Sequence, residues 1–295
     1  MKYNCFRNIV LAVITAFVLA SFSSGAEDGK AKEIDAGMFL APLNGAINIK
    51  EGTLETWFYL DYSFDDYLRI DESDCYPFPF LNILDKAGGQ TEKDFPKFAV
   101  FMAQQKGAHS IAFANTNYYA ETKTSPPARY GCLTIPGNKD KGKWLLRGEW
   151  HLLAVTWKID NDVLHVEMFL DGKLCCRGNF TQKDNGIRSF SENDLFSIGS
   201  LNLAPATILS CRISNRVRTN EEIASANPLK PDGATTFFLD GDMAGKINII
   251  KEAEYHKMRK SGKIDIKKNG AFVGKFKIID TAKGKAIQFF NKLSR

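Results

Sequence analysis

Histidine is scarce in this chain. The four present, His109, His151, His165 and His256, are scattered, and none stands at metal-ligand spacing with Cys or Glu. That leaves no zinc-type motif and no histidine-based nucleophile arrangement to build a mechanism on, and the four read as ordinary surface or edge histidines. Charge of one sign is equally lacking: 39 Lys and Arg against 34 Asp and Glu give a net +5, far from the basic bias of a dedicated nucleic-acid binder, so no nucleic-acid partner is expected. Only one long apolar run exists, the twelve uncharged residues 9–20. It is shorter than the roughly 20 residues that span a bilayer, and no later segment is apolar enough to cross a membrane. Long helical periodicity is missing between the strand-like runs, which excludes βαβ units. Cysteine is sparse. Cys5 lies in the N-terminal segment, and the remaining five (Cys75, Cys132, Cys175, Cys176, Cys211) are an odd number, so at least one is free or paired between chains.

The N-terminus has a clear pattern. Lys2 and Arg7 precede the apolar run, and Ser23, Ser24, Gly25 and Ala26 follow it. A positive start, a short apolar stretch and small residues before Glu27 make residues 1–26 a secretory signal peptide. An uncleaved anchor helix is the other reading. The chain is therefore expected to be exported: secreted, periplasmic or at the cell surface, with no transmembrane segment after signal removal. Residues 27–35 read as a charged lead-in.

Beyond it, short runs rich in aromatic and β-branched residues alternate with Gly, Asn, Asp and Pro. They fall at 52–60, 80–86, 97–105, 109–116, 149–159, 163–170, 173–178, 195–201 and 208–215. Many short strands separated by turn signals predict an all-β, antiparallel β-sandwich. Within 163–170, Leu164, Val166 and Met168 alternate with His165, Glu167 and Phe169, and Asp171-Gly172 then supplies a type I′ turn. A regular hairpin sets Met168 opposite Cys175, pointing Cys175 inward and Cys176 outward. Thr219 with Glu222 makes a capping box, which predicts a short helix near 220–226.

Two stretches interrupt the rhythm, 61–79 and 117–143. Both are long, aromatic and polar, and each carries one cysteine. Long loops in compact domains are usually functional or disordered. Tyr62, Phe64, Tyr67, Tyr76, Phe78, Tyr118, Tyr119 and Tyr130 lie in them, interleaved with Asp65, Asp66, Asp71, Asn117 and Arg129. Aromatic faces pack on the C–H faces of sugars while the polar groups bind hydroxyls. The alternative is that the rings seal the loops onto the sheet. Asp65, Asp66 and Asp71, with Asp61, Glu72 and Asp74 beside them, concentrate the hard oxygen ligands that suit Ca²⁺. No EF-hand-like spacing orders them, so a solvated acidic loop competes with a calcium site. Apart from that possible ion, no cofactor is expected. Residues 245–277 hold ten Lys or Arg against three Asp or Glu, either a solvated face or one that attracts anionic glycans or an envelope surface.

The run from Glu149 to Trp157 (EWHLLAVTW) resembles the "WHHVAVTW" strand of the laminin-G-like jelly rolls, members of the concanavalin A-like superfamily. Ahead of it, Gly52 to Phe58 is similar to the early "GTIEFWF" strand. After it come Phe169 to Leu174, similar to the "YVDGKLV" hairpin, Phe196 to Ser200, similar to "LYIGS", and Arg212 to Arg216 with Thr219 to Ile223, similar to "VRIYNRALTAEEI". Five pieces in this order imply a jelly-roll domain over residues 27–240. Residues 241–295 are then a basic C-terminal extension, either a separate appendage or extra strands completing the sandwich. Thr235 to Asp242 and Gly284 to Phe290 resemble "TLLLHFDG" and "GKALRF", pieces that in this family precede the first strand and here come last.

The superfamily includes retaining glucanases, whose Glu-x-Asp-x-x-Glu strand supplies two carboxylates. The nearest run is Glu33-Ile34-Asp35, with Met38 where the last glutamate belongs. The family's "DE" pair before "VRI" falls on Leu209 and Ser210, which weakens a borrowed metal site. Cys211 replaces the valine of the same strand and is expected to be buried. Cys75 and Cys132, one in each insertion, pair if the loops meet. The resulting expectation is an exported, non-catalytic module for glycan or another cell-surface ligand. Tyr118, Tyr119, Tyr67, Tyr62, Asp65, Asp66, Asn117 and Arg129 are its candidate binding residues. An adhesion or structural module that meets another protein, and a glycoside-acting enzyme, are the alternatives.

Overall fold

The computed structural model describes residues 37–59, 78–84, 98–105, 108–115, 131–136, 148–181, 194–199, 206–267 and 269–289. Sixteen strands and three short helices form among them. The strands are β1 (Gly37–Pro42), β2 (Glu51–Tyr59), β3 (Phe78–Leu84), β4 (Ala99–Gln105), β5 (Ala108–Asn115), β6 (Gly131–Pro136), β7 (Trp150–Asp160), β8 (Val163–Leu170), β9 (Lys173–Thr181), β10 (Leu195–Gly199), β11 (Ala206–Ser214), β12 (Thr235–Asp240), β13 (Asn248–Ile250), β14 (Ala271–Gly274), β15 (Phe276–Thr281) and β16 (Gly284–Phe289). The helices are α1 (Asn220–Ala224), α2 (Gly241–Ala244) and α3 (Glu252–Lys260).

They form two sheets. Sheet A has the order β13-β14-β1-β10-β3-β4-β5-β6, and sheet B the order β15-β16-β11-β2-β7-β8-β9, with β12 also pairing β11. The pairings are antiparallel except for β13 with β14. This is the antiparallel sandwich that the strand rhythm predicts and that the jelly-roll resemblance implies. The β12 to β16 segment does not stand apart. β14 pairs β1, and β16 pairs β11, so the chain's end supplies edge strands to both sheets.

The period of two decides which side chains meet between the sheets. Leu153, Val155 and Trp157 of β7, with Leu54 and Phe58 of β2, pack against Phe39, Phe80, Phe98, Phe113 and Phe196 of sheet A. Rings dominate this core, and each fully buried Phe is worth about 1.5–3 kcal/mol of transfer energy. Phe58 and Phe80 bridge the sheets at 4.7 Å, and Phe98 meets Trp157 edge-on at 5.1 Å. Trp157 Nε1 donates to the Asn48 carbonyl at 2.8 Å, satisfying its polar handle. Gly52 is required beside it: a Cβ there would lie 2.2 Å from the Trp157 ring.

The β8–β9 hairpin turns at Asp171 and Gly172 with φ of 52° and 75°, as its sequence predicts. Its register departs from the regular one. Phe169 pairs Leu174, Met168 pairs Cys176 and Glu167 pairs Arg177, with a shift between Met168 and Phe169. Cys175 is the extra residue of a β-bulge. Both Cys175 and Cys176 consequently pack against the core, half-buried, instead of alternating.

Three further expectations change. Phe78 is no loop residue: it begins β3, is buried, and meets Phe80 edge-on and Phe289 at a tilt. The stretch 117–143 is broken by β6, which carries Cys132. His151 is not a surface histidine but lies in the interior, 3% exposed. The capped helix forms as expected, with Thr219 accepting from the Glu222 amide, and its Ile223 packs on Ala154 and Phe169. α3 was not foreseen. Its N-cap Lys251 makes no side-chain cap, and its buried contribution is Tyr255.

Candidate functional site

The predicted binding residues Tyr62, Asp65, Asp66 and Tyr67, together with Asp71 and Cys75, stand between β2 and β3. Asn117, Tyr118, Tyr119 and Arg129 stand between β5 and β6. All of them lie outside the described residues. Their anchors are described. The first insertion leaves at Tyr59 and rejoins at Phe78, at the start of β3. The second leaves at Asn115 and rejoins at Gly131, which pair with each other. Register fixes the relation: Ala114 pairs Ala99, and Ala99 pairs Asn82 in the second half of β3. The first insertion, which leaves from β2 of sheet B, therefore rejoins sheet A at the end opposite to the one that the second insertion leaves.

Between these anchors runs one row of residues on the outer face of sheet A. Leu40 pairs Ser197, Ser197 pairs Asn82, Asn82 pairs Ala99 and Ala99 pairs Ala114. At about 4.8 Å per strand, Leu40 and Asn82 stand roughly 10 Å apart. Ser197 and Asn82 are buried, and the Asn82 Oδ1 has no hydrogen-bond partner among the described residues. A buried amide oxygen without a donor costs about 1–3 kcal/mol. The sequence gives no hint of it, because Asn82 sits inside an otherwise apolar strand.

Two polar groupings went unrecognised in the sequence. At the inner end of β7, His151 Nδ1 lies 2.9 Å from Asp171 Oδ2, and Asp171 Oδ1 accepts from the Leu152 amide at 2.8 Å. The turn aspartate thus locks β7 to the β8–β9 hairpin. The His151 ring packs near Phe58, and its Nε2 has no partner among the described residues.

The second grouping is on the outer face of sheet B. Glu55, fully buried, meets Arg212 through two hydrogen bonds and Arg218 at 3.1 Å. Arg212 also donates to the Lys230 carbonyl, and Arg218 to Ser214 Oγ and Asp232. Arg216 pairs Glu222 on α1. Trp57 Nε1 donates to the Ala226 carbonyl at 2.8 Å. Together these contacts clamp the segment 216–235 onto the sheet. Fully buried and with both oxygens held by guanidinium groups, Glu55 serves as the structural counter-charge of the two arginines.

The charges act on the clamp's carboxyls. The Arg216 hydrogen bond, aided by the Thr219 amide, brings Glu222 down to about 2. Burial pushes the Asp232 carboxyl up, but hydrogen bonds from Arg218 and Thr235 and the Arg218 charge outweigh it, leaving it at about 2. Burial drives the Cys211 thiol far up from its ordinary value, with Glu55 adding to the effect. Among the described residues, no group of three or more His, Cys, Asp or Glu could hold a metal ion, and no helix is long and apolar enough to cross a membrane.

No family model matches the chain, and no curated protein matches it in sequence. Solved structures do. One is a native heptameric SAP-like pentraxin from Limulus polyphemus, 11% identical over 72% of this chain and 88% of that one, with a TM-score of 0.41. Another is a putative carbohydrate binding protein from Bacteroides ovatus, 13% identical over 88% of this chain and 59% of that one, TM-score 0.41. A third is the Ruminococcus gnavus IT-sialidase CBM40 bound to alpha2,3 sialyllactose, 10% identical over 68% of this chain and 96% of that one, TM-score 0.39. Likenesses at this level identify no function for this chain.

Proposed function

We propose that the chain is an exported, non-catalytic module that binds carbohydrate through its aromatic insertions. The observation that supports this most is the contrast between scaffold and insertions. The strands on either side of each insertion are packed into the sandwich, whereas the insertions carry Tyr62, Tyr67, Tyr118 and Tyr119 beside Asp65, Asp66, Asn117 and Arg129. Rings of this kind offer flat apolar faces with few rotatable bonds, and the neighbouring polar groups fix the orientation of hydroxyls. A rigid sandwich that displays such loops is a common basis for recognition. The signal-like residues 1–26 support a ligand outside the cytoplasm.

The non-catalytic part is supported by the residues that would have to do chemistry. The place of the last glutamate in the nearest glucanase-like run is taken by Met38, which lies buried on the outer face of sheet A among Leu40, Leu195 and Val273. Glu55 is committed to Arg212 and Arg218. A panel of neutral and acidic polysaccharides, read both for binding and for reducing-sugar release, tests the proposal. Saturable binding without sugar release is expected. Turnover makes the chain a glycoside-acting enzyme, and failure to bind any glycan leaves the protein-adhesion reading.

A further inference from the structure

Residues 246–267 hold seven Lys or Arg against three Asp or Glu, in a chain whose whole net charge is +5. Lys246, Lys251, Lys257, Lys260, Lys263 and Lys267 are all exposed. None of the six has a carboxylate partner among the described residues. Elsewhere Lys285 meets Asp242 at 3.0 Å and Arg177 meets Glu167 at 3.5 Å, whereas Lys50, Lys158, Lys173 and Lys230 are likewise exposed without a carboxylate partner among the described residues. What sets 246–267 apart is the crowding of six such lysines into one short stretch. On α3, Tyr255 and Met258 turn toward the sheet, so at about 100° per residue Lys257 and Lys260 face away from it. These two stand one turn apart, where like charges repel. Both sit in the last turn of α3, where the helix dipole favours cations, yet neither has a carboxylate partner among the described residues.

The surface is firmly seated. Tyr255 and Ile264 are buried against Met38, Leu40, Leu84, Leu195 and Val273 on the outer face of sheet A. Leu40 is the neighbour of Ser197 in the row that leads to Asn82, and Leu84 lies two residues beyond Asn82 on the same face of β3. The lysines thus border the face between the anchors of the two insertions.

We infer that this surface docks an acidic polysaccharide, one that carries carboxylate or sulfate groups along its length. Lysine ammonium groups are point charges on flexible stems, suited to anions spaced along a chain without fixed bidentate geometry. A bilayer surface fits less well, because α3 turns its large apolar side chains to the sheet and Ile249 of β13, 64% exposed, is the one large apolar side chain of the stretch that faces out among the described residues, too little to enter lipid. Duplex nucleic acid calls for a stronger basic bias than this chain has. The inference rests on the glycan-binding reading and narrows its ligand to an acidic one.

The test measures binding of the full chain to polygalacturonate and dextran sulfate, with dextran and galactomannan as neutral counterparts. Two proteins are compared, the parent and Lys257→Glu/Lys260→Glu/Lys263→Glu, with Tm confirming the fold. The parent is expected to prefer the acidic polymers and the triple variant to bind them at least about tenfold more weakly, with the gap closing near 1 M salt, where screening acts within about 3 Å. Should the charge reversals unfold the protein, Lys257→Gln/Lys260→Gln/Lys263→Gln serves instead, with a loss in the same direction expected. Unchanged binding of the acidic polymers in a folded variant overturns the inference. Tighter binding of anionic phosphatidylglycerol vesicles or duplex DNA than of the acidic polymers overturns it as well. A parent that binds neutral and acidic polymers alike refutes this inference alone, whereas one that binds no polysaccharide refutes the glycan reading with it.

Discussion

Glu55 on β2 and Arg212 on β11 stand opposite each other across one strand pair, and the guanidinium grips the carboxylate with both arms, at 2.7 and 2.8 Å. Arg218 adds a third contact at 3.1 Å. Two cations and one anion are thereby taken out of water together. Glu55→Ala leaves two buried guanidinium groups without their shared counter-charge, and loss of one partner of a buried pair costs about 3–5 kcal/mol. Urea unfolding measures this. A cost near zero would show that the clamp is solvated and contributes nothing.

Acid should loosen the same clamp in a defined window. Glu222 and Asp232 are both held at about 2, below ordinary values of 4.5 and 3.8. A carboxyl whose pKa is depressed by folding contributes stability above its unfolded pKa and loses it as pH falls through the folded one. The urea midpoint should therefore hold from neutral pH to about 4.5 and decline from there toward about 2. Both side chains are more than a third exposed to solvent or close to it, at 34% and 41%, so screening keeps the effect modest. Glu222→Gln/Asp232→Asn should flatten that decline. An identical acid profile in the double variant contradicts the assignment.

How far the sequence could be read follows from the range of each interaction. The β8–β9 turn was legible because Asp171 and Gly172 are local signals, and α1 because a capping box spans three residues. The bulge at Cys175 was not, since nothing in Leu174-Cys175-Cys176 marks where the ladder slips. Strand β6 is a short run in a stretch rich in Pro and Gly, with Pro126 and Pro127 upstream and Pro136 at its end. α3 lacks an N-cap side chain, the signal that revealed α1. The Glu55 clamp joins residues 157 apart in sequence, so the sequence shows its members but not their meeting. The aromatic insertions were conspicuous by composition, yet only the register of β3, β4 and β5 reveals that the first rejoins sheet A at the end opposite to the one that the second leaves.

The thiols should sort by environment. Burial drives the Cys211 thiol up and encloses it completely, so native protein should leave it unlabelled by iodoacetamide until denaturant is added. Burial also raises the half-buried Cys175, so it should label slowly. We further propose a Cys75–Cys132 bridge in the exported protein, which requires the chain before Phe78 to reach across to the far end of sheet A where Cys132 pairs Ala114; mass mapping without reductant reads it. Free alkylation of Cys75 contradicts the bridge, and native labelling of Cys211 at the denatured rate contradicts its place in the core.

Export should leave its mark at the N-terminus. Cleavage after Ala26 makes Glu27 the first residue of the mature protein, and N-terminal sequencing of exported material reads it directly. An intact Met1 on that material excludes cleavage.

The measurement closest to the central claim is calorimetric binding of a glycan ligand to three single variants, Tyr118→Ala, Tyr119→Ala and Tyr67→Ala, each checked for its melting temperature. Binding energy concentrates in a few aromatic anchors, so at least one variant should lose about 1–3 kcal/mol of affinity while its Tm stays near that of the parent. Three variants that bind as the parent does, or that lose binding only because they unfold, would show that these rings pack the loops and that the ligand is held elsewhere.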